Sequence, residues 1–295
     1  MRVKLLCTDG QGAFHEVPWD KPNITENEIE VRTIMTGVCR SDIDMMQGHF
    51  GPLPINMHGH EGVGQVMQVG SNIQDVQAGD FVATRGEPAY ADCYNVRKNE
   101  YVKIPAAEPK YILEPVACAI NIVNQNRQAL SEKNGGRLAI LGSGFLAQIV
   151  YRTLDLQGYE YDIDVIGHHN KETWPNLKQS LSGVYDVIVD LSSRTDYLSG
   201  EHINNNALII FAVEKQVNQN FGPLLWKSCN INFPSPRTPD FYHAMVLARD
   251  YIENGLLEVD KFWTRAYNRT TEWQQAFDDG ANRPVGYSRG YIVWD

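Results

Sequence analysis

The chain has 295 residues, 43% of them hydrophobic and 21% charged. That balance excludes a disordered, collagenous or fibrous protein and suits about two domains around buried cores. A net charge of −10, with no Lys/Arg run, excludes a general attraction to nucleic acid or anionic lipid. Five scattered cysteines without a C-x-x-C pair argue against a disulfide framework and for a reducing compartment. The N-terminal apolar run is too short for a signal peptide, and no stretch approaches a membrane span. A cytoplasmic chain is expected, with neither nucleic acid nor membrane as partner.

Residues 1 to about 104 read as β. Runs such as Ile29–Ile34 and Gly64–Val69 alternate polar and apolar residues, and Gly, Pro, Asn and Asp punctuate them. Near Glu114-Pro115 the texture changes to a helix over Val116–Val123, with Pro115 suited to its first turn. Strand and helix then alternate. Arg137–Leu141 is a buried strand, Phe145–Tyr151 is helical, and Ile163–Ile166, Asp186–Leu191 and Ala207–Ala212 are apolar strands of parallel-sheet type. Between His168-His169 and Tyr185 there is room for about one helix. A helix around Glu272–Phe277 and a strand over Tyr291–Trp294 close the chain. The pattern predicts an α/β protein, β-rich up to about Glu114-Pro115 and then a doubly wound parallel domain, with mixed texture in the final forty or so residues.

Gly142-Ser143-Gly144-Phe145-Leu146-Ala147 fits G-x-G-x-x-A between a strand and a helix. Gly142 permits the tight turn, Gly144 lets backbone approach a pyrophosphate, and Ala147 keeps helix and strand close. The helix N-terminus attracts the phosphate charge. The strand that follows ends in Gly167-His168-His169-Asn170-Lys171 and carries no acid there. Imidazoles and an ammonium suit a ribose 2′-phosphate, which tilts the expected cofactor from NAD toward NADP.

Cys39, His60, Glu61 and Glu114 each sit in a distinctive phrase. Singly, each also suits an ordinary structural role, as a small buried hydrophobe, a turn residue or a helix-start carboxylate. Jointly they supply a thiolate, an imidazole and carboxylates, a donor set suited to a catalytic Zn²⁺ that keeps one position open. His15, His49, His58, His202 and His243 stand alone and suit surface or core roles better.

The series Thr36-Gly37-Val38-Cys39-Arg40-Ser41-Asp42, Gly59-His60-Glu61-Gly62-Val63-Gly64-Gln65-Val66, Val69-Gly70 and Gly79-Asp80-Phe81-Val82 resembles the zinc-dependent alcohol dehydrogenases of the medium-chain dehydrogenase/reductase superfamily. The likeness continues through Glu114-Pro115, the glycine turn, Asp186–Asp190, Gly255-Leu256-Leu257 and Trp273–Phe277, nearly the whole chain. It implies a GroES-like catalytic domain over 1–115 and 258–295, with a Rossmann domain over 116–257 inserted in it. It also implies Cys39 and His60 as zinc ligands, with Glu61 a ligand or an exchangeable neighbour. Glu114 would stand where polyol and sugar dehydrogenases place a glutamate. Ser41 matches the hydroxyl that relays the substrate proton, Asp42 the carboxylate that orients the zinc-bound imidazole, and Arg40 a partner of cofactor phosphate.

This chain departs from the family in three places. The four-cysteine lobe for a structural zinc is absent, so one zinc per chain is expected. Asp44 stands where many relatives have the relay histidine, and the Rossmann part is trimmed after its second strand. The implied activity is hydride transfer between NAD(P) and a small alcohol, polyol or sugar. The alternative is a catalytically silent member that serves as a cofactor-binding or assembly subunit. Zinc-free quinone or enone reduction on the same fold is disfavoured by the ligand set. A homodimer is expected through the edge strand at Asn230–Phe233.

Overall fold

The computed structural model describes residues 1–192, 194–213 and 218–294. Contacts within it separate two units, Met1–Pro115 with Met245–Asp295, and Val116–Ala244. The expected α/β class is present as a β-rich unit and a parallel-sheet unit. Among the described residues no helix is long and apolar enough to cross a membrane.

In the first unit, β1 (Arg2–Thr8) and β2 (Phe14–Asp20) form an antiparallel hairpin. They are followed by β3 (Glu28–Gly37), β4 (Gly62–Val69), β5 (Phe81–Thr84), β6 (Cys93–Arg97) and β7 (Tyr101–Ile104). The sequence shows only β texture here. The structure adds a helix of seven residues, α1 (Arg40–Met46), directly after β3. It forms because Asp42, in its first turn, reaches back to the Cys39 N–H at 2.8 Å, half of a capping box that the β-rich surroundings hide.

Helices α2 (Glu114–Gln125) and α3 (Arg127–Ser131) lead into β8 (Arg137–Leu141). Then come α4 (Phe145–Leu156), β9 (Asp162–Ile166), β10 (Tyr185–Asp190), β11 (Ile203–Phe211), α5 (Gly222–Trp226) and β12 (Asn230–Asn232). These strands form one parallel sheet in the order β12-β11-β10-β8-β9. Strands β8 and β10, and β11 from Ala207 onward, are buried almost throughout, as their apolar runs require. Helix α6 (Phe241–Glu253) carries the chain back, and the first unit resumes at Met245 rather than at 258. Within that unit Arg249 Nη1 donates to the Lys103 carbonyl at 3.3 Å. Finally β13 (Trp263–Asn268), α7 (Trp273–Asn282) and β14 (Arg289–Val293) complete the sheet in the order β13-β14-β3-β4-β5-β7, with β6 also on β3. The core gathers on three rings: Phe14 stacks on Phe277 at 3.8 Å, and Tyr90 meets both edge-on.

The stretch between β9 and β10 does not form the helix for which it has room; it runs in turns. Among the described residues only Lys178 pairs at the outer edge of β9, bridging Ile166, with its N–H 3.0 Å from the Val165 carbonyl. Lys178 is a one-residue strand, and the sheet stops there. The turns are tied down from below by Asp164 of β9. Its carboxylate takes Arg137 at 2.9 Å, Lys178 at 2.6 Å and the Tyr185 hydroxyl at 2.8 Å, while Arg137 also lies over the Tyr185 ring.

Burial pushes the Asp164 carboxyl up, but these three donors outweigh it and hold it below its ordinary value. A depressed carboxyl stabilises the fold above its unfolded pKa, about 3.9, and that contribution vanishes as pH falls through the folded value. Asp164→Asn is therefore expected to cost about 2 kcal/mol at pH 7 in denaturant unfolding. The gap from the wild-type chain should close below about pH 4. A gap that stays constant across that range would show that the charge of Asp164 contributes nothing.

Candidate functional site

Four side chains of the first unit meet where β3 ends and α1 begins. Cys39 is the N-cap of α1, in extended backbone at φ −91° and ψ 156°. Asp42 is fully buried, and its Oδ2 accepts the Cys39 N–H at 2.8 Å and the Tyr90 hydroxyl at 2.7 Å. The other oxygen, Oδ1, has no hydrogen bond and lies 3.8 Å from His60 Nδ1, facing the imidazole. Burial pushes the Asp42 carboxyl up, against the pull of His60, Tyr90 and the Cys39 amide. Burial disfavours charge on His60 as well. Asp42, a hydrogen bond with Cys39 and the Glu114 carboxylate outweigh it, and the imidazole stands well above its ordinary value.

His60 owes its position to the residue before it. Gly59 takes φ +76°, and a Cβ there would lie 2.6 Å from the Tyr90 backbone nitrogen, so only glycine lets the chain pass. Glu61 follows with its side chain fully buried, and both its oxygens accept from Arg289 Nη2, at 2.5 and 2.6 Å. Burial opposes the charge of Arg289, yet Glu61 and Cys39 hold the guanidinium above its ordinary pKa. Gly37 makes room for this pair, since a Cβ there would overlap the Glu61 carboxylate.

The Cys39 sulfur, a His60 nitrogen and a Glu61 oxygen all lie within 4.8 Å of one another. Among the described residues this is the one such group of histidine, cysteine and acidic side chains. Its spread is close to that of donors held about 2.0–2.3 Å from a single ion, and a thiolate with an imidazole and a carboxylate suits zinc. The orphaned Asp42 Oδ1 behind His60 supplies the acceptor that a metal-bound imidazole uses for its other nitrogen. The residues present therefore fit the metal. The fourth expected donor, Glu114, opens α2 at 3% exposure and acts on His60 electrostatically, but it stands outside the trio.

Ser41 is partly buried in the first turn of α1, next to Cys39. Arg40 is half exposed, and its Nε donates to Asp44 Oδ1 at 3.0 Å, with His49 Nδ1 3.5 Å from the same oxygen. Asp44 thus has two partners of its own, the Arg40 guanidinium and the His49 imidazole.

The glycine turn lies in the second unit. Gly142 stands at φ +122° against Leu191, Gly144 caps α4 with open space beyond its α-carbon, and Ala147 is buried in the helix. The side chains of His168 and His169 are exposed after β9. Four contributors escape the sequence reading: Arg289 and Tyr90, which touch Glu61 and Asp42, and Asn170 and Trp174, which both donate to the Ser143 carbonyl. No local pattern marks them, because each acts on a residue far along the chain or across a turn. The one sequence signal is the run of glycines at 59, 62 and 64, where large neighbours press close.

Residues 25–151 match the family described as the alcohol dehydrogenase GroES-like domain. D-arabinitol dehydrogenase 1 of Uromyces fabae is 23% identical to this chain, with 92% of the chain and 91% of that protein covered. Two solved structures share the fold. One is an alcohol dehydrogenase of Escherichia coli CFT073 complexed with NADH (TM-score 0.79, 15% identity, 99% of each chain). The other is a dehydrogenase of Sinorhizobium meliloti 1021 bound to NADP (TM-score 0.76, 15% identity, 99% of each chain). With the Cys39–His60–Glu61 trio and the glycine turn already in view, residues 25–151 match an alcohol dehydrogenase GroES-like domain, and the chain over nearly its full length is similar to medium-chain, zinc-type alcohol dehydrogenases.

Proposed function

We propose that the chain is a zinc-dependent, NAD(P)-linked oxidoreductase that interconverts a small alcohol, polyol or sugar and its carbonyl. The observation that carries this reading is the trio of Cys39, His60 and Glu61, with donors within 4.8 Å and Asp42 behind the imidazole. A GroES-like domain match and an arabinitol dehydrogenase aligned over 92% of the chain support the substrate class. The bound groups would supply Lewis-acid polarisation of the substrate oxygen and a two-electron acceptor at the nicotinamide.

The protein's own residues divide the remaining work. Cys39 and His60 would hold one zinc per chain, with Glu61, paired with Arg289, as a ligand or an exchangeable neighbour. Glu114 serves as the further carboxylate donor of the polyol and sugar branch. Asp42 keeps His60 in the tautomer that presents its free nitrogen to the metal. Ser41 accepts the substrate proton and passes it to solvent, because Asp44 is already engaged by Arg40 and His49. Gly142, Gly144 and Ala147 shape the dinucleotide turn. His168 and His169, exposed beside it, receive a 2′-phosphate and favour NADP, and Arg40 pairs with cofactor phosphate once released from Asp44. Relatives in fold bind NADP or NADH, which supports a nicotinamide cofactor.

A homodimer forms through the β12 edge. There Phe233 is 72% and Trp226 85% exposed, an apolar surface that a second copy would cover. Five free cysteines support the reducing cytoplasm. The second reading, a silent family member that binds cofactor or partner, is favoured by one observation. Among the described residues there is no full strand beyond β9, at the edge where the Rossmann sheet normally continues.

Protein purified without chelator or added metal is expected to carry about one zinc per chain by mass spectrometry. Cys39→Ser and His60→Ala should lose that metal, together with at least about 100-fold of the alcohol-dependent reduction of NAD(P). Metal-free protein that takes up no added zinc would sink the dehydrogenase reading. Zinc and nicotinamide binding without turnover on any alcohol, polyol or sugar would favour the silent member.

Asp42→Asn keeps the shape of the side chain and removes the charge behind His60. Zinc affinity is expected to drop about 10- to 100-fold in competition with a chelating dye. Tyr90→Phe should leave zinc bound but lower stability by about 1–3 kcal/mol, since the buried carboxylate loses a donor. Unchanged zinc affinity in Asp42→Asn would remove Asp42 from the metal's support.

A further inference from the structure

The short connection after β9 closes onto the glycine turn through a single acceptor. The carbonyl oxygen of Ser143 receives Asn170 Nδ2 at 2.9 Å and Trp174 Nε1 at 3.0 Å. Ser143 Oγ donates in return to the His169 carbonyl at 2.8 Å. Asn170 stands in the left-handed region at φ +59°, and its carbonyl accepts the N–H groups of Thr173 and Trp174 at 3.1 and 3.3 Å. Residues 170–174 therefore curl so that two side chains four positions apart reach one oxygen. Gly167 admits the contact, since a Cβ there would stand 2.5 Å from Ser143 Oγ. The Trp174 ring meets Tyr151 of α4 edge-on at 5.3 Å, which anchors the curl to the helix that the turn begins.

A carbonyl oxygen has two lone pairs, and here both are taken. The Ser143–Gly144 peptide is planar and trans, so its C=O and N–H point in opposite directions. Holding the carbonyl against Asn170 and Trp174 turns the Gly144 N–H away from them. Gly144 caps α4, and the space beyond its α-carbon is open. A phosphate at this helix start would need that N–H. The restraint is needed because glycines leave the backbone many conformations. If the peptide turned over, a carbonyl would face the phosphate instead. The sheet gives little help on this side, because its pairing ends at the single bridge of Lys178.

We propose that Asn170 and Trp174 are positioning residues for the phosphate-binding turn, a latch that holds the Gly144 peptide with its N–H outward. The proposal deepens the nucleotide-binding reading of this turn and rests on it. In place of a further strand and helix, the trimmed connection supplies two side-chain donors. The His169 carbonyl accepts from Ser143 Oγ in the same turn, so the segment that carries His168 and His169, the imidazoles expected to meet a 2′-phosphate, is tied to the latch.

The test uses the full-length chain with two substitutions. Trp174→Phe keeps a ring against Tyr151 and removes the donor, and Asn170→Gly keeps the left-handed backbone and removes the amide. Hydrogen–deuterium exchange over residues 142–147, without ligand, should rise about threefold to tenfold in each, as expected for one lost hydrogen bond. Exchange in the first unit and zinc content should not change. Calorimetry with ADP-ribose and its 2′-phosphate should show affinity lower by a similar factor. Where turnover is measurable, KM for the nucleotide should rise while kcat and KM for the alcohol hold. Unchanged exchange at the turn in both variants would overturn the latch, and so would raised exchange with unchanged nucleotide affinity. A wild-type chain that binds neither nucleotide overturns the dinucleotide reading and with it the latch's purpose. Exchange at the turn then separates that failure from the absence of a latch.

Discussion

The first unit is organised around a charge that has no water. Glu61 is fully buried beside Cys39 and His60, and an ionised carboxylate in such a place costs several kcal/mol unless it is matched. Arg289 matches it with two short contacts from one nitrogen, 228 positions away in the chain. That pairing requires β14 to run antiparallel to β3, with Tyr291 opposite Gly37, and requires a glycine at 37 to leave space for the carboxylate. Trp263 lies against the guanidinium at 5.0 Å and screens it further. The chain's return to its first unit is thus an electrostatic necessity as much as a hydrophobic one. Without the last strand, Glu61 would be a buried charge with no partner, and the donors around it would lose their frame.

The same economy governs the neighbouring carboxylate. Asp42 gives one oxygen to the backbone of Cys39 and to Tyr90, and turns the other toward His60. One side chain starts α1, fixes the cysteine at the helix cap and stands ready to orient the imidazole. Tyr90 links this arrangement to the aromatic cluster of Phe14 and Phe277, so the trio of Cys39, His60 and Glu61 rests on the core of its unit. Residues supported in this way lose little freedom when they bind a ligand, which is what preorganisation means in energetic terms.

The second unit shows how a shortened fold replaces lost support. A longer Rossmann sheet steadies its nucleotide edge with another strand and helix. Here Lys178 contributes one bridge, Asp164 gathers three donors below, and Asn170 and Trp174 hold the turn above. Side-chain hydrogen bonds do what a backbone ladder does elsewhere. This part resists reading from sequence because its period is neither helical nor extended. Its order comes from contacts to Ser143 and Arg137, across 27 to 45 positions.

The sequence by itself determined the class of fold, the main strands of the parallel unit with the helices that open it and follow the glycine turn, and the residues of the trio. Those features are local: hydrophobic period, glycine spacing and short motifs act within a few residues of themselves. The helix after Cys39, the turns in place of a helix after β9 and the return at Met245 were decided only in three dimensions. So were the partners of the buried groups, Arg289 for Glu61, Tyr90 for Asp42, and Asn170 with Trp174 for Ser143. The physical reason is common to all of them. A buried polar atom must find a partner wherever the fold brings one, and distance along the chain carries no information about which one that will be.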